Sequence, residues 1–276
     1  MTMRAVAIYR SASFSPGRHR SNDAAIMDAT VNRLLHRGWR IERLGETDVE
    51  AGIVPPAELY LNMCQGSNAS EALLEIEHRG ALMINRPSSV LRCHRHRLVP
   101  VLVESGLPFP ATVVGPPRTL QHAAGALRGE SLWVKRGDVH AQEAADVVRT
   151  DRAELAGALA AFGDRGIRQV AIQEHVPGRI VKFYGVGAGQ LFHAFFEDGA
   201  PLDPASPVHG TLRQLAITAA DAVGLGVFGG DAAFGDAGGP ILIDLNDWPS
   251  FAPIRDVAAR AIAALAESVA TTRSIR

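Results

Sequence analysis

Apolar positions along the chain fall in short blocks separated by amphipathic stretches, the alternation expected when strands lie side by side with helices between them. Arg4 to Tyr9 (RAVAIY) predicts a buried strand, closed by a loop from Ser11 to Ser21 rich in Ser, Pro, Gly and Arg. Asn22-Asp23 offers a helix cap, and Ala25, Ile26, Val31, Leu34 and Leu35 recur at helical spacing toward Arg37. Strands are expected at Trp39–Leu44, Leu59–Met63 and Ala81–Ile84, with a helix at Ser70–His78 between the last two. Such a βαβ order indicates a parallel sheet, with functional groups gathered at the C-terminal ends of its strands.

A further helix ends near Ser105-Gly106, and a Pro-bounded turn leads into a new strand at Thr112, marking a change of unit. The pattern then predicts a helix from Thr119, a strand at Leu132–Lys135, a loop, a helix at Asp151–Phe162 and a strand at Gln169–Glu174. Strands follow at Ile180–Val186 and Leu191–Phe196, then a helix at Gly210–Val223. Two more strands, Val227–Phe234 and Pro240–Leu245, precede a C-terminal helix at Ile254–Val269.

Composition narrows the field mainly by exclusion. With 276 residues, 47% hydrophobic and 21% charged, the chain is an ordinary globular sequence able to bury a core. Its net charge of -1 argues against bulk attraction to nucleic acid or membrane, so neither is expected as a partner. Cys64 and Cys93 form neither a disulfide framework nor a metal-binding spacing. The first apolar run is only about five residues, too short for a secretion signal. No stretch approaches the roughly 18 apolar residues of a membrane span, so the expected location is cytoplasmic.

One count changes the picture. Of 28 basic residues only Lys135 and Lys182 are lysines; the others are arginines. A compact, flexible ammonium is not interchangeable with a planar guanidinium at every phosphate site, so these two positions are candidates for anion binding.

Two motifs mislead. Gly224-Leu-Gly226-Val-Phe-Gly229 fits G-x-G-x-x-G, but the dinucleotide fingerprint needs a strand before it and a helix after, and here the order is reversed. Cys93-His94-Arg95-His96 suggests a metal site, yet alternating basic residues at a helix start fit a solvated or anion-facing surface better.

The informative segment is GGDAAFGDAGGPILIDLNDWPSF. Spacing of two on a strand puts Asp244 and Asn246 on one face, and antiparallel pairing can bring Asp231 beside them. Two carboxylates and an amide carbonyl are hard oxygen donors suited to Mg²⁺, which takes its remaining ligands from phosphates and water.

Asp231 with Asp244-Leu-Asn246 resembles the metal motif of the ATP-grasp superfamily, and other landmarks follow in that family's order. Gly106-Leu-Pro-Phe-Pro110 is similar to its G-[ILV]-x-x-P element, and the resemblance extends over about residues 85 to 250. It implies an ATP-grasp α/β fold, with residues 1–90 as a Rossmann-like N-terminal (pre-ATP-grasp) domain, 91–176 as the central subdomain and 177–276 as the C-terminal subdomain bearing the metal site. By the same resemblance Arg95 and Lys135 contact ATP phosphates. Gln173, Glu174, His175 and Val176 form the hinge holding adenine and ribose, and Lys182 faces the transferred phosphate. The loop from Arg136 to His140 covers the phosphates, with Arg136 as a catalytic candidate beside Lys182, and His140 as a nucleotide contact. Asp231, Asp244 and Asn246 hold Mg²⁺.

The resemblance implies transfer of the terminal phosphoryl group of Mg-ATP to an acceptor, a small molecule or peptide. Most of the family are ligases that activate a carboxylate for attack by an amine, and the general pattern is similar to the ribosomal-protein glutamate ligases. Asp244 in place of Glu, Arg95 in place of Lys and the segment VKFYGVG resemble the inositol-trisphosphate kinases, which phosphorylate a hydroxyl. A carboxylate–amine ligase is the leading expectation, a polyol kinase the alternative, and a non-catalytic ATP-binding regulator a third. Arg18 and His19, in the loop after the first strand, and Trp248 and Ser250, just past the metal motif, are the acceptor-binding candidates. A homodimer is left open.

Overall fold

The computed structural model of the chain describes residues 2–15, 19–235 and 238–274, and of residues 19, 20, 273 and 274 only the backbone. Three four-stranded sheets organise these residues. The first contains β1 (Arg4–Tyr9), β2 (Arg40–Gly45), β3 (Leu59–Asn62) and β4 (Leu82–Ile84), in the order β2-β1-β3-β4. All its pairs are parallel, and its crossovers are helices: α1 (His19–His36), the short α2 (Glu46–Glu50) and α3 (Ser67–His78). β1 and β3 are nearly continuous apolar runs because helices cover both faces of the sheet. Two further helices, α4 (Pro87–Arg92) and α5 (Arg95–Glu104), lead out of this unit.

The second sheet is antiparallel, in the order β5-β8-β6-β7, with β5 (Thr112–Gly115), β6 (Ser131–Arg136), β7 (Val147–Asp151) and β8 (Val170–Glu174). Helices α6 (Pro117–Ala123) and α7 (Leu155–Asp164) cover one face, enclosing Leu132, Val134, Phe162 and Ile172. The third sheet is also antiparallel, in the order β10-β9-β11-β12, with β9 (Arg179–Val186), β10 (Leu191–Phe196), β11 (Val227–Phe234) and β12 (Ile241–Asp247). Helix α8 (Pro207–Val223) packs on it, capped at its start by Ser206, whose hydroxyl accepts from His209 N at 3.2 Å.

The C-terminal helix α9 (Arg255–Ser274) returns to the first sheet. One core joins Ala7, Leu59 and Ile84 with Val227, Trp248 and Ile262, so the first and third sheets share a hydrophobic interior. Asn85 reinforces that joint: its side chain accepts from Gly226 N (2.8 Å) and Val227 N (2.9 Å) and donates to Val227 O (2.7 Å). The second sheet keeps its own core.

Several boundaries differ from those expected. β7 occupies a stretch read as loop, because VVRTD at a half-buried edge lacks clean alternation. In consequence α7 begins at Leu155 rather than Asp151. α8 starts three residues early, at a Pro on its first turn. Gly224 ends α8 at φ +88°, and β11 follows, so the G-x-G-x-x-G run has the helix-then-strand order that excludes a dinucleotide fingerprint. Among the described residues, no helix is long and apolar enough to cross a membrane.

Candidate active site

The third sheet supplies the centre of the site. In the β11–β12 pair Asp231 lies opposite Asp244, and in the β11–β9 pair Asp231 lies opposite Lys182. The register then slips by one residue: Ala232 faces Leu242, leaving Ile243 as a bulge. The freed Ile243 carbonyl accepts from Lys135 Nζ at 3.2 Å, while Gln173 Oε1 accepts from the same nitrogen at 2.7 Å. A lysine on the second sheet is thereby aimed at the carboxylates of the third.

Charge balance follows from these contacts. Arg95, at the start of α5, donates to Asp244 through Nη2 and to Arg136 O through Nη1 at 2.9 Å. Lys182 Nζ stands 3.5 Å from Asp231 Oδ1. Burial would raise Asp244, but Arg95 and Lys135 beside it hold the carboxyl below the ordinary range. Burial raises Asp231, with Lys182 opposing. Burial pushes the Lys135 ammonium down to about 8, with Asp244 pulling upward and Arg95 pushing further down. Three fixed cations against two carboxylates leave a local positive excess, which suits a polyphosphate.

Two cavities meet here. A cavity of about 350 Å³ is walled by Trp133, Gln173, Val176 and Ile180, and one of about 660 Å³ by Arg10, Asp23, Tyr184, Trp248 and Ser250. Lys182, Asp231 and Asp244 line both. The smaller cavity collects the hinge candidates Gln173, Glu174, His175 and Val176 together with Lys135; the larger collects Arg95, His140, Asn246, Trp248 and Ser250.

Some candidates sit differently from expectation. Arg136 lines neither cavity; its guanidinium bonds Asp138 Oδ1 (2.8 Å) and Gln142 Oε1 (2.6 Å), bracing the following loop. Glu174, expected at ribose, accepts from the backbone N–H groups of Arg128 and Gly129, which occupies one of its oxygens. His140 lines the larger cavity rather than the smaller one that collects the hinge candidates, with Nε2 2.7 Å from Asp247 Oδ1. His94 and Cys93 are 1% exposed, so their run is not a solvated surface. Burial, with His140 adding to it, pushes His94 down to about 4. Arg18 lies outside the described residues, as does the side chain of His19.

Pattern reading missed Arg10, Asp23, Tyr184 and Asp247. Arg10 follows β1, at the strand end where a parallel sheet gathers functional groups, and that was the available signal. It bonds Asp23 Oδ2 (3.0 Å) and the Trp248 carbonyl (2.8 Å), joining the first sheet to the turn after β12. Burial would raise Asp247, but His140 holds it below the ordinary carboxylate range.

For a metal, Asp231, Asp244 and Asn246 offer hard oxygens along one cavity wall. Among the described residues no cluster of three or more His, Cys, Asp or Glu could hold a metal unaided. The set fits a Mg²⁺ ion that shares the oxygens of a bound phosphate, since Arg95 and Lys182 already neutralise the two carboxylates.

The three-sheet architecture, with its paired-acid strands facing a lysine from the second sheet, is the ATP-grasp fold. Solved structures similar to the whole chain include the D-alanine–D-alanine ligase of Bacillus anthracis in complex with ATP (TM-score 0.75, 14% identity, 99% of each chain covered). The VanG D-Ala:D-Ser ligase of Enterococcus faecalis is similar at TM-score 0.74 and 12% identity, over 98% of this chain and 100% of that one. A RimK domain ATP-grasp protein of Sphaerobacter thermophilus is similar at TM-score 0.69 and 18% identity, over 95% and 99%. No protein-family model matches the sequence, and no curated protein matches it.

Proposed function

We propose that the protein is a Mg-ATP-dependent carboxylate–amine ligase. The observation carrying this reading is that Lys182, Asp231 and Asp244 line both cavities, so a nucleotide in the smaller and an acceptor in the larger would meet at the charged centre. The ligase names of the first two structural neighbours support a carboxylate rather than a hydroxyl acceptor.

In this reading adenine lies against Trp133, Val176 and Ile180, and the phosphates run toward Lys135, Arg95 and Lys182. Asp231, Asp244 and Asn246 would hold Mg²⁺, which neutralises charge on the transferring phosphoryl group. Lys182 balances charge at the bridging position between donor and acceptor. Arg95 fixes the Asp244 carboxylate and keeps it ionised. A carboxylate in the larger cavity takes the phosphoryl group, giving an acyl phosphate and ADP; an amine then displaces phosphate to form the amide. The acceptor is a small molecule or a peptide end.

The test is release of ADP and inorganic phosphate from Mg-ATP across a panel of carboxylates, with and without amino acids, comparing wild type with Asp244→Asn. Phosphate release that needs both a carboxylate and an amine, and is abolished by the substitution, supports the ligase. ADP formed without free phosphate, with label retained on a polyol, would instead establish a kinase.

A further inference from the structure

The ligase reading leaves one chemical requirement unassigned. An amine at neutral pH is largely ammonium and must lose a proton before it can attack. The carboxylates around the larger cavity are otherwise engaged. Asp23 accepts from Arg10 (3.0 Å) and Ser15 (2.7 Å), Asp231 and Asp244 face Lys182 and Arg95, and Glu143 is held by Arg165 at 2.6 Å.

His140 differs. Its buried Nε2 lies 2.7 Å from Asp247 Oδ1, a charge contact outside hydrogen-bond alignment, and Asp247 is fully buried. Nδ1 has no partner among the described residues and is not among the polar atoms sealed from solvent, so it opens on the cavity that His140 lines. The loop carrying His140 is pinned at both ends. Gly137 N donates to Gln169 O (2.8 Å), the His96 ring holds Gly137 O (2.6 Å), and Asp146 accepts from Gln142 N (2.7 Å). Gln65 Nε2 stands 3.4 Å from the same Asp247 oxygen, and the His94 ring packs edge-on at 5.8 Å from the His140 ring. A buried carboxylate this close favours the imidazolium that forms when the open Nδ1 takes a proton, the placement of a base.

We propose that His140, with the Asp247 carboxylate beside its ring, is the general base that deprotonates the amine substrate in the larger cavity. This rests on the ligase reading above. The ammonium gives one proton to Nδ1, and the nitrogen lone pair forms the bond to the acyl carbon. The carbon–oxygen bond to phosphate breaks with its electron pair going to phosphate, which also takes the second proton from nitrogen. Asp247 stays ionised and stabilises the imidazolium.

The test compares glycine with hydroxylamine as nucleophile, using a carboxylate that wild type converts to its hydroxamate. Hydroxylamine is largely neutral at pH 7 and needs no base. In His140→Gln the glycine-to-hydroxylamine rate ratio is expected to fall about 100-fold, and in Asp247→Asn by about tenfold. Nitrogen-15 shifts of the resting wild-type protein should show His140 protonated on Nε2, a readout that does not depend on either variant folding. An unchanged ratio, or a proton on Nδ1, would overturn the assignment. A wild type that forms no hydroxamate from any carboxylate counts against the ligase reading itself, an outcome distinct from the other two.

Discussion

Lys182 on β9 and Asp231 on β11 face each other across neighbouring strands, Nζ 3.5 Å from Oδ1, and both line the two cavities. Asp231 supports the raised affinity of Lys182 for its proton, so this ammonium stays charged. The Lys182 side chain is 53% exposed, and pairs of this kind contribute only about 0–1 kcal/mol to stability. Lys182→Met should therefore lower turnover by roughly 100-fold or more while leaving the thermal midpoint nearly unchanged. Steady-state kinetics and a melt on the same preparation check this; a large loss of stability would mean the pair is structural.

Burial disfavours the charged form of Lys135 and pushes it down to about 8. At that pH about half the molecules carry the charged lysine, and an arriving polyphosphate favours that form. Nucleotide binding at pH 8 should thus take up to about half a proton per site. Calorimetry in two buffers of different ionisation enthalpy measures the uptake, and Lys135→Met should abolish it.

His94 is held near 4 by burial, reinforced by His140, whereas an unfolded histidine titrates near 6.5. Between those values the unfolded chain binds a proton that the folded chain does not. Stability therefore falls as pH drops from 6.5 to 4, by up to roughly 3 kcal/mol, and does not change from this source above 6.5. Denaturant melts of wild type and His94→Gln over that range should show a shallower acid slope in the variant.

How much of this was legible in sequence depends on the range of the contact. The βαβ order, the two lysines and the facing of Asp231 with Asp244 follow from patterns within a few residues or one hairpin. The Ile243 bulge that receives Lys135 does not, because a single unpaired residue leaves the apolar alternation of ILIDLND almost unchanged. Arg136 was a catalytic candidate through the resemblance that places its loop over the phosphates, yet consecutive strand residues point to opposite faces, and its guanidinium turns to Asp138 and Gln142. The Arg10 contact with the Trp248 carbonyl joins residues 238 positions apart, which no local period encodes.

Gly230 sits beside the acidic pair on β11. A Cβ there would meet the Asp244 carbonyl oxygen at 2.3 Å and the Phe183 ring at 2.5 Å. Because backbone cannot yield as a flexible side chain does, Gly230→Ala should push β12 from β11, costing about 1–3 kcal/mol and displacing Asp244. Thermal melts should show the loss, together with weakened Mg-ATP binding by calorimetry.

The central claim is that a carboxylate receives the phosphoryl group at the Lys182–Asp231–Asp244 junction. Its most direct measurement follows oxygen-18 from a labelled carboxylate acceptor during turnover with Mg-ATP and an amine. The account predicts one labelled oxygen in the released phosphate, because the acyl phosphate breaks at its carbon–oxygen bond. Unlabelled phosphate alongside amide product, or label retained in a stable phosphoester, would contradict it.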